Sequence, residues 1–216
     1  MIVSDAAKRR QRVPALSAEE RRAALIAATV PLLREHGTAV STRQIADAAG
    51  VAEGTIFGVF KDKASLIRAA IVAAFDPTPL LRELRAIDLA LDLRARLVAA
   101  AHLVRAHVAE RGALFYVIRS AAFAGDREGL VDLMAARYLI LYDLANLIEP
   151  DAAKLRRSPS TAARLLLSLA AAPRGGFGML DEALDDALDD DEVVSLVLDG
   201  LLIREPATKH PGVLPC

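Results

Sequence analysis

Residues 41–63 read Ser41-Thr42-Arg43-Gln44-Ile45-Ala46-Asp47-Ala48-Ala49-Gly50-Val51-Ala52-Glu53-Gly54-Thr55-Ile56-Phe57-Gly58-Val59-Phe60-Lys61-Asp62-Lys63. Ser41 followed three residues later by Gln44 is a capping box, in which each side chain satisfies the other residue's backbone amide. It opens a short helix through Ala49, with Ile45 and Ala46 on the inward face. Gly50-Val51 makes a turn. A second helix runs from about Ala52 to Phe60 and buries Ile56 and Phe60. Asp62 caps a further helix that starts near Lys63 and carries Leu66, Ile67 and Ala70 on one face. The small Ala46 lets the first two helices approach, Gly50 supplies the tight turn, and Val51 plugs the core behind it. The second helix is then presented on the surface, where it fits a major groove. These are the mechanics of a helix-turn-helix.

The pattern extends in both directions as helix. Upstream, Ser17-Ala18-Glu19-Glu20 is another capping box. Leu25, Ile26, Thr29, Val30, Leu32 and Leu33 follow at helical spacing, and Gly37 ends the helix. Pro31 lies inside it and lacks an amide hydrogen, which predicts a kink rather than a break. Downstream, Asp76-Pro77-Thr78-Pro79 interrupts the chain. Helices are expected at about 79–86, 88–110, 112–124, 127–148, 160–172 and 190–204, with Pro150, Pro159 and Pro173 between them. No period-2 alternation persists, so the fold class is all-α. Four segments are expected: a flexible basic arm at 1–16, a helix-turn-helix domain at 17–62, a helical body at 63–205 and a tail at 206–216.

Composition agrees with a helical globular protein: 54% of residues are hydrophobic and 25% charged, and Ala and Leu outnumber β-branched residues. The net charge of −1 hides an asymmetry. Residues 1–70 carry eleven Lys/Arg against seven Asp/Glu, and the remainder carries sixteen against twenty-one. A positive N-terminal domain on a mildly acidic body suits a polyanionic partner. The single cysteine, Cys216, allows no intramolecular disulfide. No apolar signal core opens the chain, and no apolar run approaches the roughly 20 residues that span a bilayer. The reading is a cytoplasmic protein with no membrane partner.

The segments Ile45-Ala46 through Gly50-Val51, Gly54-Thr55-Ile56-Phe57, and Phe60-Lys61-Asp62-Lys63 with Leu66 resemble the DNA-binding motif of the TetR (tetracycline-repressor) family. Leu25-Ile26 through Leu32-Leu33 and Gly37 match the helix that precedes it. The resemblance covers roughly residues 20–70. It departs at Phe57, where the family usually has a tyrosine hydroxyl, at Gly58 and Val59, where polar or aromatic groups are common, and at Pro31. Carried over by position, it implies that Thr42, Arg43, Glu53, Gly54, Thr55, Phe57 and Lys63 contact DNA. The chemistry fits: Arg43 can fork onto guanine or clamp a phosphate, Glu53 can accept from a cytosine amino group, and Thr55 offers a hydroxyl and a methyl. Lys63, at a helix start, can hold a phosphate.

The resemblance also implies a helical body that binds a small-molecule effector and forms a homodimer. Phe115, Tyr116, Arg119, Phe123, Met134, Tyr138 and Tyr142 concentrate the scarce aromatics in the middle helices and form the expected pocket. Ala163, Leu166, Leu167, Ala170, Val194, Val197, Leu198 and Leu201 make one apolar side of the last two helices and are the expected dimer interface, so that two recognition helices read a palindromic double-stranded DNA operator. No catalytic residue, cofactor or metal site is expected. His102 and His107 are five apart and point away from each other. The acidic run 181–192 lacks the pattern of a calcium loop, and Gly175-Gly176-Phe177-Gly178 lacks that of a phosphate loop. The expected function is a transcription regulator, a repressor released by its effector, and not an enzyme. The competing readings are a helix-turn-helix protein that ignores ligands, and a helical ligand-binding protein or enzyme with a degenerate DNA motif.

Overall fold

Ser17 begins the first helix as its spacing to Glu20 requires. The Ser17 amide donates to Glu20 Oε2 at 2.7 Å, and the Glu20 amide donates to Ser17 Oγ at 3.1 Å. The bonds from Ser17 to the Glu20 carboxylate, the backbone one foremost, hold that carboxyl below its ordinary value. The structure, a computed structural model, describes residues 17–112, 114, 127–172 and 188–202. Its α-helices, labelled in order among those residues, are α1 (Ala18–His36), α2 (Thr42–Ala49), α3 (Glu53–Val59), α4 (Lys63–Ala74), α5 (Thr78–Arg85), α6 (Leu93–Ala109), α7 (Arg127–Ile148), α8 (Pro159–Ala170) and α9 (Asp190–Leu201). Among the described residues there is no strand, only an isolated antiparallel bridge between Leu155 and Leu202. The fold is all-α, with a helix-turn-helix unit at the N-terminal end followed by a helical body.

Contacts divide the chain between Ile71 and Val72, inside α4. In the first unit α1 packs on α2 and α3, and α2 packs on α3. Leu25, Leu33, Val40, Ile45, Ile56, Phe60, Leu66, Ile67 and Ile71 are its large buried apolar side chains, each contributing roughly 1.5–3 kcal/mol on leaving water. α1 continues through Pro31. The buried Thr29 hydroxyl is satisfied by the Leu25 carbonyl at 2.7 Å.

In the second unit α5 to α9 share one core, and the 3-10 turn Glu149–Lys154 follows α7. α8 packs on both α7 and α9, and α6 packs on all three. Two carboxylates go inside, each with an arginine. Arg85 Nε donates to Asp143 at 2.7 Å. The buried Arg96 donates to both Asp151 and the Leu147 carbonyl at the end of α7, and Lys154 also donates to Asp151 at 2.6 Å. The hydrogen bond from Lys154, with the charges of Lys154 and Arg96, lowers the Asp151 carboxyl. Helix starts follow their caps: α6 begins after Asp92 rather than near 88, α8 after Ser158, and α9 after Asp189 in a third capping box with Glu192.

The segment 63–85 contains an 18-residue stretch with a mean hydropathy of 1.3, where no such run was expected. It is two helices, α4 and α5, separated at Asp76-Pro77. Arg68, Arg82, Glu83 and Arg85 lie within it.

Candidate nucleic-acid interface

The turn between α2 and α3 forms as the glycine requires. Gly50 sits at φ +66°, ψ 33°, the left-handed region that costs other residues a Cβ clash. The Gly50 amide donates to the Asp47 carbonyl at 3.2 Å and the Val51 amide to the Ala46 carbonyl at 3.0 Å. Ile45, Ala46 and Ile56 are buried, whereas Val51 is only half-buried. At the far end of α3, Asp62 caps α4 through the Ser65 amide at 2.7 Å, and this bond holds the Asp62 carboxyl below its ordinary value.

With one face of α2 and α3 fixed inside, the other faces solvent. Arg43, Glu53, Gly54 and Phe57 are exposed, and Thr42, Thr55 and Lys63 are half-buried. Phe57 leaves 55% of its surface in water. The Thr42 hydroxyl donates to Glu53 Oε1 at 2.5 Å, joining α2 to α3 on this surface. Lys63 Nζ donates to the Thr38 carbonyl at 3.0 Å, which uses one of its three protons. The seven positions expected to touch DNA thus lie in one helix-turn-helix unit, and four of them are fully exposed.

That unit has a counterpart among known proteins. Residues 25–70 match the family model described as bacterial regulatory proteins, tetR family. Residues 25–70 are a TetR-type N-terminal domain. The solved structures similar to this chain match most of its length. AibR in complex with isovaleryl coenzyme A and operator DNA is 17% identical, with a TM-score of 0.55 over 83% of this chain and 97% of AibR. The fatty acid degradation regulator FadR from Bacillus halodurans is 18% identical, with a TM-score of 0.53 over 83% and 93%. The superantigen PfiT is 19% identical, with a TM-score of 0.61 over 88% and 100%. At these identities the likeness is one of fold, and the different roles of those proteins illustrate that one fold hosts several functions. No curated protein matches the chain.

The helical body places its expected residues differently. Ala163, Leu166, Leu167, Ala170, Val194, Val197, Leu198 and Leu201, expected at a dimer interface, are at most 5% exposed within this chain. They are the core that joins α6, α7, α8 and α9. A side chain already covered by its own chain has almost no surface left to bury against a second copy. The apolar groups that α8 and α9 leave outside are Leu165 and Leu196, at 43% and 53% exposure. Of the expected pocket, Met134, Tyr138 and Tyr142 are exposed along α7. Phe115, Tyr116, Arg119 and Phe123 lie outside the described residues, as do the basic arm 1–16 and the Gly175–Gly178 stretch. His102 faces Asp190 at 3.1 Å. His107 is half-buried, and its desolvation, with the nearby Arg111 charge, pushes its pKa down to about 4.

Sequence reading missed three contacts. Arg22 of α1 stacks on Phe60, Arg96 joins Asp151 inside the body, and Arg105 bonds Asp190 at 2.6 Å. Burial is what makes Arg96 and Arg105 structural, and charge spacing along a sequence carries no signal of it.

Proposed function

We propose that this chain is a sequence-specific repressor of transcription that acts in the cytoplasm as a homodimer on a palindromic operator, and that a small, largely apolar effector releases it. The observation that carries the reading is the exposed α2–α3 surface. Two helices locked by a left-handed glycine turn offer Arg43, Glu53, Thr55 and the Phe57 ring to solvent, a set that can address guanine, cytosine, phosphate and the thymine methyl. Lys63 supplies a phosphate contact at the edge. The dimer is assigned to the outward sides of α8 and α9, through Leu165 and Leu196. Two-fold symmetry then matches two recognition helices to two half-sites about one helical turn apart.

The effector rests on the analogy with AibR, which was solved with isovaleryl coenzyme A and operator DNA. The effector must favour the form that binds DNA poorly, with a coupling of about 1–3 kcal/mol. A gel shift with the DNA upstream of the chain's own reading frame tests the reading. Retardation that a scrambled duplex does not compete away supports it, and no retardation of either duplex at low salt refutes it.

A further inference from the structure

We propose that Arg22 of α1 is a backbone-phosphate contact, a DNA-binding residue that lies outside the helix-turn-helix and grips the strand on the α1 side of α3. The inference rests on the DNA-binding reading above. The Arg22 guanidinium carbon sits 4.5 Å from the centroid of the Phe60 ring. Phe60 is buried and ends α3, while Arg22 is exposed. Stacking occupies one face of the guanidinium and leaves its in-plane N–H groups directed outward, the arrangement that accepts a phosphate with little further ordering.

The surroundings suit the same ligand. A groove runs between α1 and α3, with Glu19, Arg21 and Arg22 on one wall and Thr55, Gly58 and Val59 on the other. Gly58 has no side chain, and a Cβ built there would meet nothing within 4 Å, so the groove stays open to a strand. The width of a major groove, about 12 Å, nearly equals the diameter of a helix with its side chains. A recognition helix therefore has a phosphate strand along each flank. On the α2 flank Thr42 stands beside Glu53; on the α1 flank stand Arg21 and Arg22. The apolar Phe57, Gly58 and Val59 supply no phosphate donor from their side chains, which leaves this contact to α1. Glu19 is the one carboxylate in the groove walls, and it opposes the strand.

Titrating wild type, Arg22→Gln, Arg22→Lys and Glu19→Gln with two labelled duplexes tests this, one from the chain's own upstream region and one of mixed sequence, with melting temperatures recorded alongside. Arg22→Gln is expected to weaken both duplexes by the same factor. It should also lessen the affinity lost between about 50 and 200 mM salt by about threefold per contact removed. Arg22→Lys, which keeps charge but not the planar fork, should fall between, and Glu19→Gln should strengthen both. An Arg22→Gln variant with unchanged affinity and salt dependence overturns the proposal. So does a variant that melts earlier and binds more weakly with the wild-type salt dependence, because the stack would then be structural only. A selective loss on one duplex overturns it too, because that marks a base contact. If the wild type binds neither duplex, the DNA-binding reading itself falls and takes this inference with it.

Discussion

The Thr42 hydroxyl donates to Glu53 Oε1 at 2.5 Å, so the first residue of α2 holds the first side chain of α3 in place. Glu53 is the one carboxylate among the seven positions assigned to DNA, and an unrestrained carboxylate there would meet phosphates of like charge. Held by Thr42, it keeps a lone pair for a base donor such as the cytosine amino group. Thr42→Val, which removes the hydroxyl at nearly constant volume, should lower the preference for the cognate duplex by several-fold and leave the salt dependence unchanged. Parallel titrations of cognate and scrambled duplexes read this. An unchanged preference would mean that the hydrogen bond does not serve recognition.

Lys63 and the groove-facing residues should separate by kind. Lys63 spends one proton on the Thr38 carbonyl and has two left for phosphate. Lys63→Ala should weaken all duplexes alike and flatten the salt dependence by about one counterion. Losing the Thr38 bond should also cost about 1 kcal/mol of stability, seen in denaturant melts. Arg43→Ala and Thr55→Ala should instead change which sequence is preferred, by roughly 1–3 kcal/mol for a bidentate base contact. If Lys63→Ala alters the cognate-to-scrambled ratio as much as Thr55→Ala does, the division of roles is wrong.

The dimer test must respect burial. Leu198→Asp would place an unpaired carboxylate in the chain's own core and unfold it by several kcal/mol. Leu165→Asp and Leu196→Asp lie outside, and each should leave the melting temperature of the folded body nearly unchanged while shifting dimer to monomer. Sedimentation at micromolar concentration measures the change. A wild-type monomer, or variants that remain dimers, would contradict the assignment.

These residues show where sequence stopped being informative. Capping boxes at Ser17 and Ser41, the turn glycine and the Asp62 cap are local devices: each involves residues within a few positions, and each formed as read. An apolar stripe such as Leu166, Leu167, Val194 and Val197 states only that something covers it. Nothing in its spacing distinguishes the same chain from a second one, and here the chain covers itself. The aromatics of 115–142 carry the same ambiguity. Met134, Tyr138 and Tyr142 have a helical spacing that suits a buried pocket, yet they lie on the outer side of α7. Arg96 with Asp151, and Arg22 with Phe60, join residues far apart in sequence, which only the folded chain brings together.

Stability should fall on the acid side because of His107. Its folded pKa is depressed to about 4, chiefly by desolvation, against 6.5 for the free group. Unfolding therefore takes up a proton between those values. The native state holds its full advantage above about pH 6.5 and loses it as pH falls towards 4. The ring is only half-buried, so solvent screening limits the loss to on the order of 1 kcal/mol. Denaturant unfolding of wild type and His107→Gln at about pH 5 and pH 7 reads the difference. The variant should lose less stability on acidification, and equal losses would remove His107 as the cause.

Titration of the full chain with duplex DNA from its own upstream region, against a scrambled duplex of equal length, bears most directly on the central claim that the α2–α3 surface reads DNA. The expected result is tight binding to one site in the upstream DNA, weakened by salt, with Arg43→Ala and Thr55→Ala abolishing the preference over the scrambled duplex at unchanged melting temperature. Equal and feeble binding to both duplexes at low salt, unaffected by either substitution, would contradict it.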